Sequence, residues 1–169
     1  MNANVKEQRV VNTSPLIYLS RANMLDLLFV GCDQVVVPQA VADEIRAWPT
    51  ADAAQKALAV DQRLVIVAPE PIPPSIQAWD LGAGESAVLA FGANRPGMTL
   101  VIDDLAARRC AASLNLPVRG TLGLVLKAKQ IGLLPPSIPS ARTALRQLHQ
   151  AGMYLSPAVA AAALEQVGE

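Results

Sequence analysis

Residues 34–38, Gln-Val-Val-Val-Pro, place three β-branched side chains in a row with no polar residue between them. Successive side chains of a strand point to opposite faces, so a strand written this way has no face to offer to water. Helices reached by crossover connections are what cover both faces of a sheet, and such connections make neighbouring strands parallel. Similar segments recur at Arg9-Val10-Val11-Asn12, Leu64-Val65-Ile66-Val67-Ala68 and Met98-Thr99-Leu100-Val101-Ile102, with a shorter one at Pro117-Val118-Arg119. Helical patterns separate them. The sequence therefore predicts an α/β fold: a three-layer α/β/α sandwich with a mainly parallel central sheet and right-handed crossovers.

The first helical stretch follows Thr13-Ser14-Pro15, where a hydroxyl can cap and proline suits the first helical position. Over 16–30 one bent helix or two short ones fit the leucine pattern. Pro38 starts the next helix, in which Val41, Ile45 and Trp48 form one stripe expected to be buried, with Glu44 beside it. Residues 51–62 read as an alanine-rich helix, and 70–74, Glu-Pro-Ile-Pro-Pro, as a loop. Gly82-Ala83-Gly84 introduces a helix over 85–93. Further helices are predicted over 105–114 and 121–131, and after Pro139 and Pro157. The expected organisation is a single domain over 1–169, with a core at about 8–134 and a helical tail at about 139–168.

Half of the residues are apolar (52%) but only 4% are aromatic, so the core must be built from Val, Leu, Ile and Ala. Cys32 and Cys110 stand far apart without metal-ligand spacing, which argues against a zinc site or a disulfide framework and for a reducing cytoplasm. The N-terminal segment has no apolar run of signal-peptide length, and no later window reads as a membrane span, so a location off the membrane is expected. Net charge is zero. The charges are nevertheless uneven: up to Asp104 there are 12 acidic and 7 basic residues, whereas 105–164 holds 7 basic and no acidic ones.

In open parallel sheets the site lies beyond the carboxyl ends of the strands. Asn12 closes the first predicted strand and Asp103-Asp104 the fourth, while Glu44 and Glu85 stand near the starts of helices at the same level. Carboxylates crowded together repel, and at neutral pH hard divalent cations with oxygen ligands relieve the repulsion; Mg²⁺ or Mn²⁺ is expected. Two such ions can activate water and stabilise a leaving oxygen, which makes phosphodiester hydrolysis possible without a histidine or serine nucleophile. Arg108 and Arg109 would supply counter-charge for flanking phosphates. Each residue also has a plain structural role open to it: a helix cap for Asp103 or Asp104, a solvated face for Glu44 and Glu85, a turn for Asn12, a solvated surface for the arginines. The lone His149 has no placed partner and reads as a surface residue.

With these residues in view, the chain resembles the PIN-domain superfamily, and within it a subfamily of nucleic-acid-binding proteins related to the VapC-type toxins. The resemblance rests on Val-Val-Asn-Thr-Ser-Pro-Leu-Ile (10–17), Val-Pro-Gln-Ala-Val-Ala-Asp-Glu-Ile (37–45), Leu-Gly-Ala-Gly-Glu-Ser-Ala (81–87), Ile-Asp-Asp-Leu-Ala-Ala-Arg (102–108) and Arg-Gly-Thr-Leu-Gly (119–123). It implies an endoribonuclease with metal ligands at Asn12, Glu44, Glu85 and one or both of Asp103 and Asp104. Catalysis would rest on the four carboxylates, and RNA contacts on Arg108, Arg109 and Ser14. It also implies a small antitoxin partner and a homodimer. Most PIN nucleases carry aspartate where this chain has Asn12, which should weaken metal affinity. Two other readings stay open: a PIN-like module that binds nucleic acid or protein without cleaving, and a receiver-like phosphoacceptor domain. The latter wants its acid pair after the first strand, and here the pair follows the fourth.

Overall fold

The computed structural model describes residues 6–50 and 52–169. The first five residues of the N-terminal segment, and residue 51 at the start of the expected alanine-rich helix, lie outside the described residues. Five strands form one sheet: β1 (Gln8–Val11), β2 (Val35–Pro38), β3 (Leu64–Val67), β4 (Met98–Val101) and β5 (Val118–Arg119). Every pairing is parallel, and the strand order is β3-β2-β1-β4-β5. Val10, Val11, Val35, Val37, Leu100 and Val101 are completely buried, which is the two-sided coverage that unbroken apolar strands require.

Strand order explains where the helices go. The chain steps outward from β1 to β2 to β3, then returns to β4 beside β1 and steps the other way to β5. Right-handed crossovers then assign α1 (Thr13–Arg21) and α3 (Asp52–Val60) to one face, and α5 (Ala83–Ala93) and α6 (Leu105–Ser113) to the other. The packing agrees: α1 touches α3, while α5 touches α6 and lies across β1, β2 and β4. This is the three-layer α/β/α sandwich. α2 (Gln39–Ala47) packs between α1 and α5. α7 (Thr121–Gln130) and α8 (Ala141–Gln150) return to α1, and α9 (Pro157–Gln166) packs on α7 and α8. The reversal between β1 and β4 is a topological switch point, so a crevice opens beyond their carboxyl ends, where Asn12 and Asp103 follow.

Several local expectations are corrected. Of the two readings for 16–30, two short helices is the one that holds, with the second of 3₁₀ type: α1 ends at Arg21, Asn23 takes a left-handed φ of 55°, and Leu25–Phe29 is a 3₁₀ helix. Helix α1 begins at Thr13, so Pro15 is its third residue and not its first. Trp48 leaves the expected stripe, because α2 ends at Ala47 and the indole is 48% exposed, whereas Val41 and Ile45 are buried. The proline-rich loop holds over 70–73 but stops one residue early, at a short helix, α4 (Pro74–Gln77), that buries Ile76 completely. Arg9, in the middle of β1, is buried; its guanidinium donates to the carbonyls of Leu28 (2.7 Å) and Val30 (2.6 Å) and to Glu7 (2.6 Å), tying the 3₁₀ segment to the amino end of the sheet. Both cysteines are free and buried. Among the described residues no helix is long and apolar enough to cross a membrane.

Candidate metal centre at the switch point

Asn12 is the first residue past β1, and its backbone N–H extends the β1–β4 ladder by donating to the Val101 carbonyl at 3.0 Å. It stands at the N-cap of α1, yet its side chain does not cap that helix. Instead Nδ2 donates to Glu85 Oε1 at 3.1 Å. This donation fixes the amide orientation, since the flipped amide would set its oxygen against a carboxylate. Oδ1 is then left buried and without a hydrogen-bond partner, in a residue only 1% exposed.

Glu44, on α2, is held from two sides. Thr13 Oγ1 donates to its Oε2 at 2.5 Å and the Gly84 N–H donates to its Oε1 at 2.8 Å. Gly84 is the floor of this arrangement. A Cβ built there would lie 2.6 Å from Glu44 Oε2 and 3.0 Å from Asn12 Oδ1, so both oxygens crowd the same point above the α5 backbone. Glu85, in the first turn of α5, folds back so closely that a Cβ on Gly82 would collide with its Oε2. An acidic side chain in a first helical turn is also favoured by the macrodipole.

Asp103 follows β4 by two residues. Its Oδ1 accepts from the Thr121 N–H at 2.7 Å and its Oδ2 from Thr121 Oγ1 at 2.6 Å. Burial pushes the Asp103 carboxyl above the ordinary aspartate range, against the Thr121 hydrogen bonds and the Arg108 charge that pull it down. Arg108 Nη1 and Asp103 Oδ1 lie 2.8 Å and 3.1 Å from one point above Gly120, close but without a salt bridge. Asp104 plays a different part, since its Oδ1 accepts from the Ala107 N–H at 2.8 Å, the N-cap bond of α6. The simple capping role open to one of the two aspartates is thus taken by Asp104.

The fold therefore brings Asn12, Glu44 and Glu85 together, with Asp103 at the same edge of the sheet. Asp104 is exposed and turned toward its own helix. Among the described residues no three His, Cys, Asp or Glu side chains converge as a ready metal cage, so the expected pocket of four converging carboxylates does not appear as such. Arg108 and Arg109 are exposed and Ser14 is half-buried on α1. Two partners were missed from sequence, Thr13 and Thr121. The available signal was a threonine opening a helix directly beyond a strand end, as both do.

The donor set here is oxygen only: an amide and carboxylates. Such donors suit hard cations like Mg²⁺ or Mn²⁺, and the orphaned Asn12 Oδ1 is a buried oxygen in want of a partner. In donor chemistry, though not as a ready cage, the residues present fit a divalent ion. A parallel α/β sheet whose switch point gathers acidic and amide oxygens is a build that nuclease-type domains share with other α/β domains. A family model described as DUF3368, PIN domain, matches residues 8–169, and the chain belongs to that family. No curated protein matches the chain.

Proposed function

We propose that this PIN domain is a metal-dependent endoribonuclease, similar to the VapC-type toxins. The observation that carries the reading is the Asn12 amide, turned by Glu85 so that its Oδ1 is buried, unpartnered and crowded against Glu44. A buried oxygen without a partner costs about 1–3 kcal/mol, and a bound cation would recover that cost. Asn12, Glu44, Glu85 and Asp103 would hold the ion, with Asp104 one residue away at the mouth. When bound, a divalent cation supplies an activated water and charge stabilisation at the phosphodiester.

The chain's own groups perform the rest. Thr13 and the Gly84 N–H aim Glu44, and Thr121 aims Asp103, so each carboxylate meets its ligand without reordering. Arg108, beside Asp103, offers counter-charge to the substrate backbone, and Arg109 extends the basic surface. Ser14, one residue past Thr13 on the same helix start, is a further candidate phosphate contact. Two free, buried cysteines support a reducing compartment such as the cytoplasm. Support for a small antitoxin and a homodimer comes from the resemblance to the toxins alone.

A second reading, a module that binds RNA without cleaving, is favoured by the amide at Asn12 and by the capping of α6 by Asp104, which together leave fewer charges for metal. Labelled RNA incubated with Mn²⁺, Mg²⁺ or EDTA separates the two. Metal-dependent products are expected from the wild type, with loss of at least about a hundredfold in the D103N/D104N variant. Equal cleavage by that variant, or cleavage in EDTA, would overturn the nuclease assignment. Metal-independent binding without products would support the second reading.

A further inference from the structure

A groove of about 570 Å³ runs away from Asp103 along the β5–α7 side of the molecule. Its walls include Arg108 and Arg119, and its far rim carries Tyr154 and Leu155 from the connection between α8 and α9. Resting on the proposed nuclease reading, we propose that this groove is the substrate track: Arg108 and Arg119 bind backbone phosphates of single-stranded RNA, and Tyr154 stacks on an unpaired base.

Three observations support this occupant. The first is charge. Among the described residues neither Arg108 nor Arg119 makes a salt bridge, unlike Arg9, Arg63 and Arg95, each of which is paired with carboxylate. The Arg108 charge acts on Asp103 and that of Arg119 on Glu7, but neither is tied in a salt bridge, and two such guanidiniums in one groove suit the repeating charge of a polynucleotide. The second is Tyr154 itself, 79% exposed, the most exposed large hydrophobic side chain among the described residues. An aromatic ring left in water on a groove rim offers a face on which any base can stack.

The third is that the ring is displayed by a built segment. Gly152 turns the chain at a φ of +103°, a conformation side chains resist. Arg21 Nη1 donates to the Ala151 carbonyl at 3.3 Å, and the backbone at Gly152 approaches the Tyr18 ring. Met153 is buried on one side of Tyr154, so the connection is anchored to the protein immediately before the exposed ring. Asp103, one of the proposed ligands, lines the groove, so on this reading the track starts at the edge of the proposed cleavage site. Duplex RNA keeps its bases paired and stacked, so its bases cannot reach the ring, and a single strand is the substrate class this geometry accepts.

The test is binding, read without metal so that cleavage plays no part. Fluorescence anisotropy in EDTA compares wild type, Y154A, Y154F and R119A, each checked for an unchanged melt, on single-stranded RNA, duplex RNA, the matching DNA strand and an abasic oligonucleotide. Y154A is expected to weaken single-stranded RNA binding about tenfold, with Y154F close to wild type, and to leave abasic binding unchanged. R119A is expected to weaken all charged ligands and flatten the salt dependence. Wild-type affinity of Y154A for single-stranded RNA would overturn the stacking assignment, as would equal binding of duplex RNA. A preference for the DNA strand would overturn RNA as the occupant. Binding that behaves as expected in a protein that never cleaves would remove the nuclease reading and leave the track standing.

Discussion

The Asn12 amide donates to Glu85 across 73 residues of sequence, and by doing so leaves its own oxygen buried with no partner. That single bond ties the end of β1 to the start of α5 and decides which atom of Asn12 faces Glu44.

Replacing Asn12 by aspartate removes the donor and sets a buried carboxylate against Glu85. In the absence of metal the N12D protein should be less stable by about 1–3 kcal/mol, because a buried group loses its partner. Mn²⁺ should bind it more tightly than wild type, since a charged ligand replaces a neutral one. Melting in EDTA and calorimetric titration with Mn²⁺ measure the two effects; unchanged Mn²⁺ affinity would put Asn12 outside the site.

Gly84 to alanine would drive a methyl into the space claimed by Glu44 Oε2 and Asn12 Oδ1. Glu44 would have to swing aside and give up its bonds to Thr13 and the Gly84 N–H, so a destabilisation of about 1–3 kcal/mol is expected. Mn²⁺ binding should fall with it. A G84A protein with wild-type melting and metal affinity would show that α5 does not form the floor of the site.

Thr121 is completely buried and both its N–H and its hydroxyl serve Asp103. T121V keeps shape and loses the hydroxyl, so stability should drop by about 1–3 kcal/mol while T121S stays near wild type. If the aim of Asp103 matters to catalysis, metal-dependent cleavage should drop in T121V and recover in T121S. Parallel melts and cleavage rates on the pair of variants separate packing from aim.

Glu169 joins the tail to the rest of the molecule. Its carboxylate accepts from the N–H groups of Ala141 and Arg142 at the start of α8 and pairs with Lys129 at 2.7 Å, and these contacts, the Lys129 bond first, hold its pKa down at about 2. A carboxylate depressed in the fold stabilises it above the unfolded value of about 4.3, and that stability is lost as pH falls toward about 2. E169Q should therefore melt below wild type at pH 7, with the difference closing across that acid window. Melts from pH 7 to pH 2 test this; a gap that persists at pH 2 would assign the effect to packing.

Much of the fold was legible because its causes are local. Unbroken β-branched runs demand burial on both faces, and this alone marks β2, β3 and the parallel sheet. The position of Asn12 and Asp103 at strand ends follows from the same runs. Trp48 was misread because a helical stripe says nothing of where the helix stops, and the burial of Arg9 was not legible because a charge inside a strand is buried only when distant carbonyls are there to receive it.

Local sequence thus settled the five strands and most of the helices, and that acidic residues and an amide fall beyond the strand ends, since these depend on neighbours one to four residues away. The pairing of those residues came from the tertiary fold. Whereas the Asp104 cap of its own helix spans only three residues and is local, the fold gave Glu44 to Thr13 and Gly84 across 31 and 40 residues and Asp103 to Thr121 across 18. Strand order did this, by turning the chain back at β4 so that β1 and β4 became neighbours and opened one crevice between their ends.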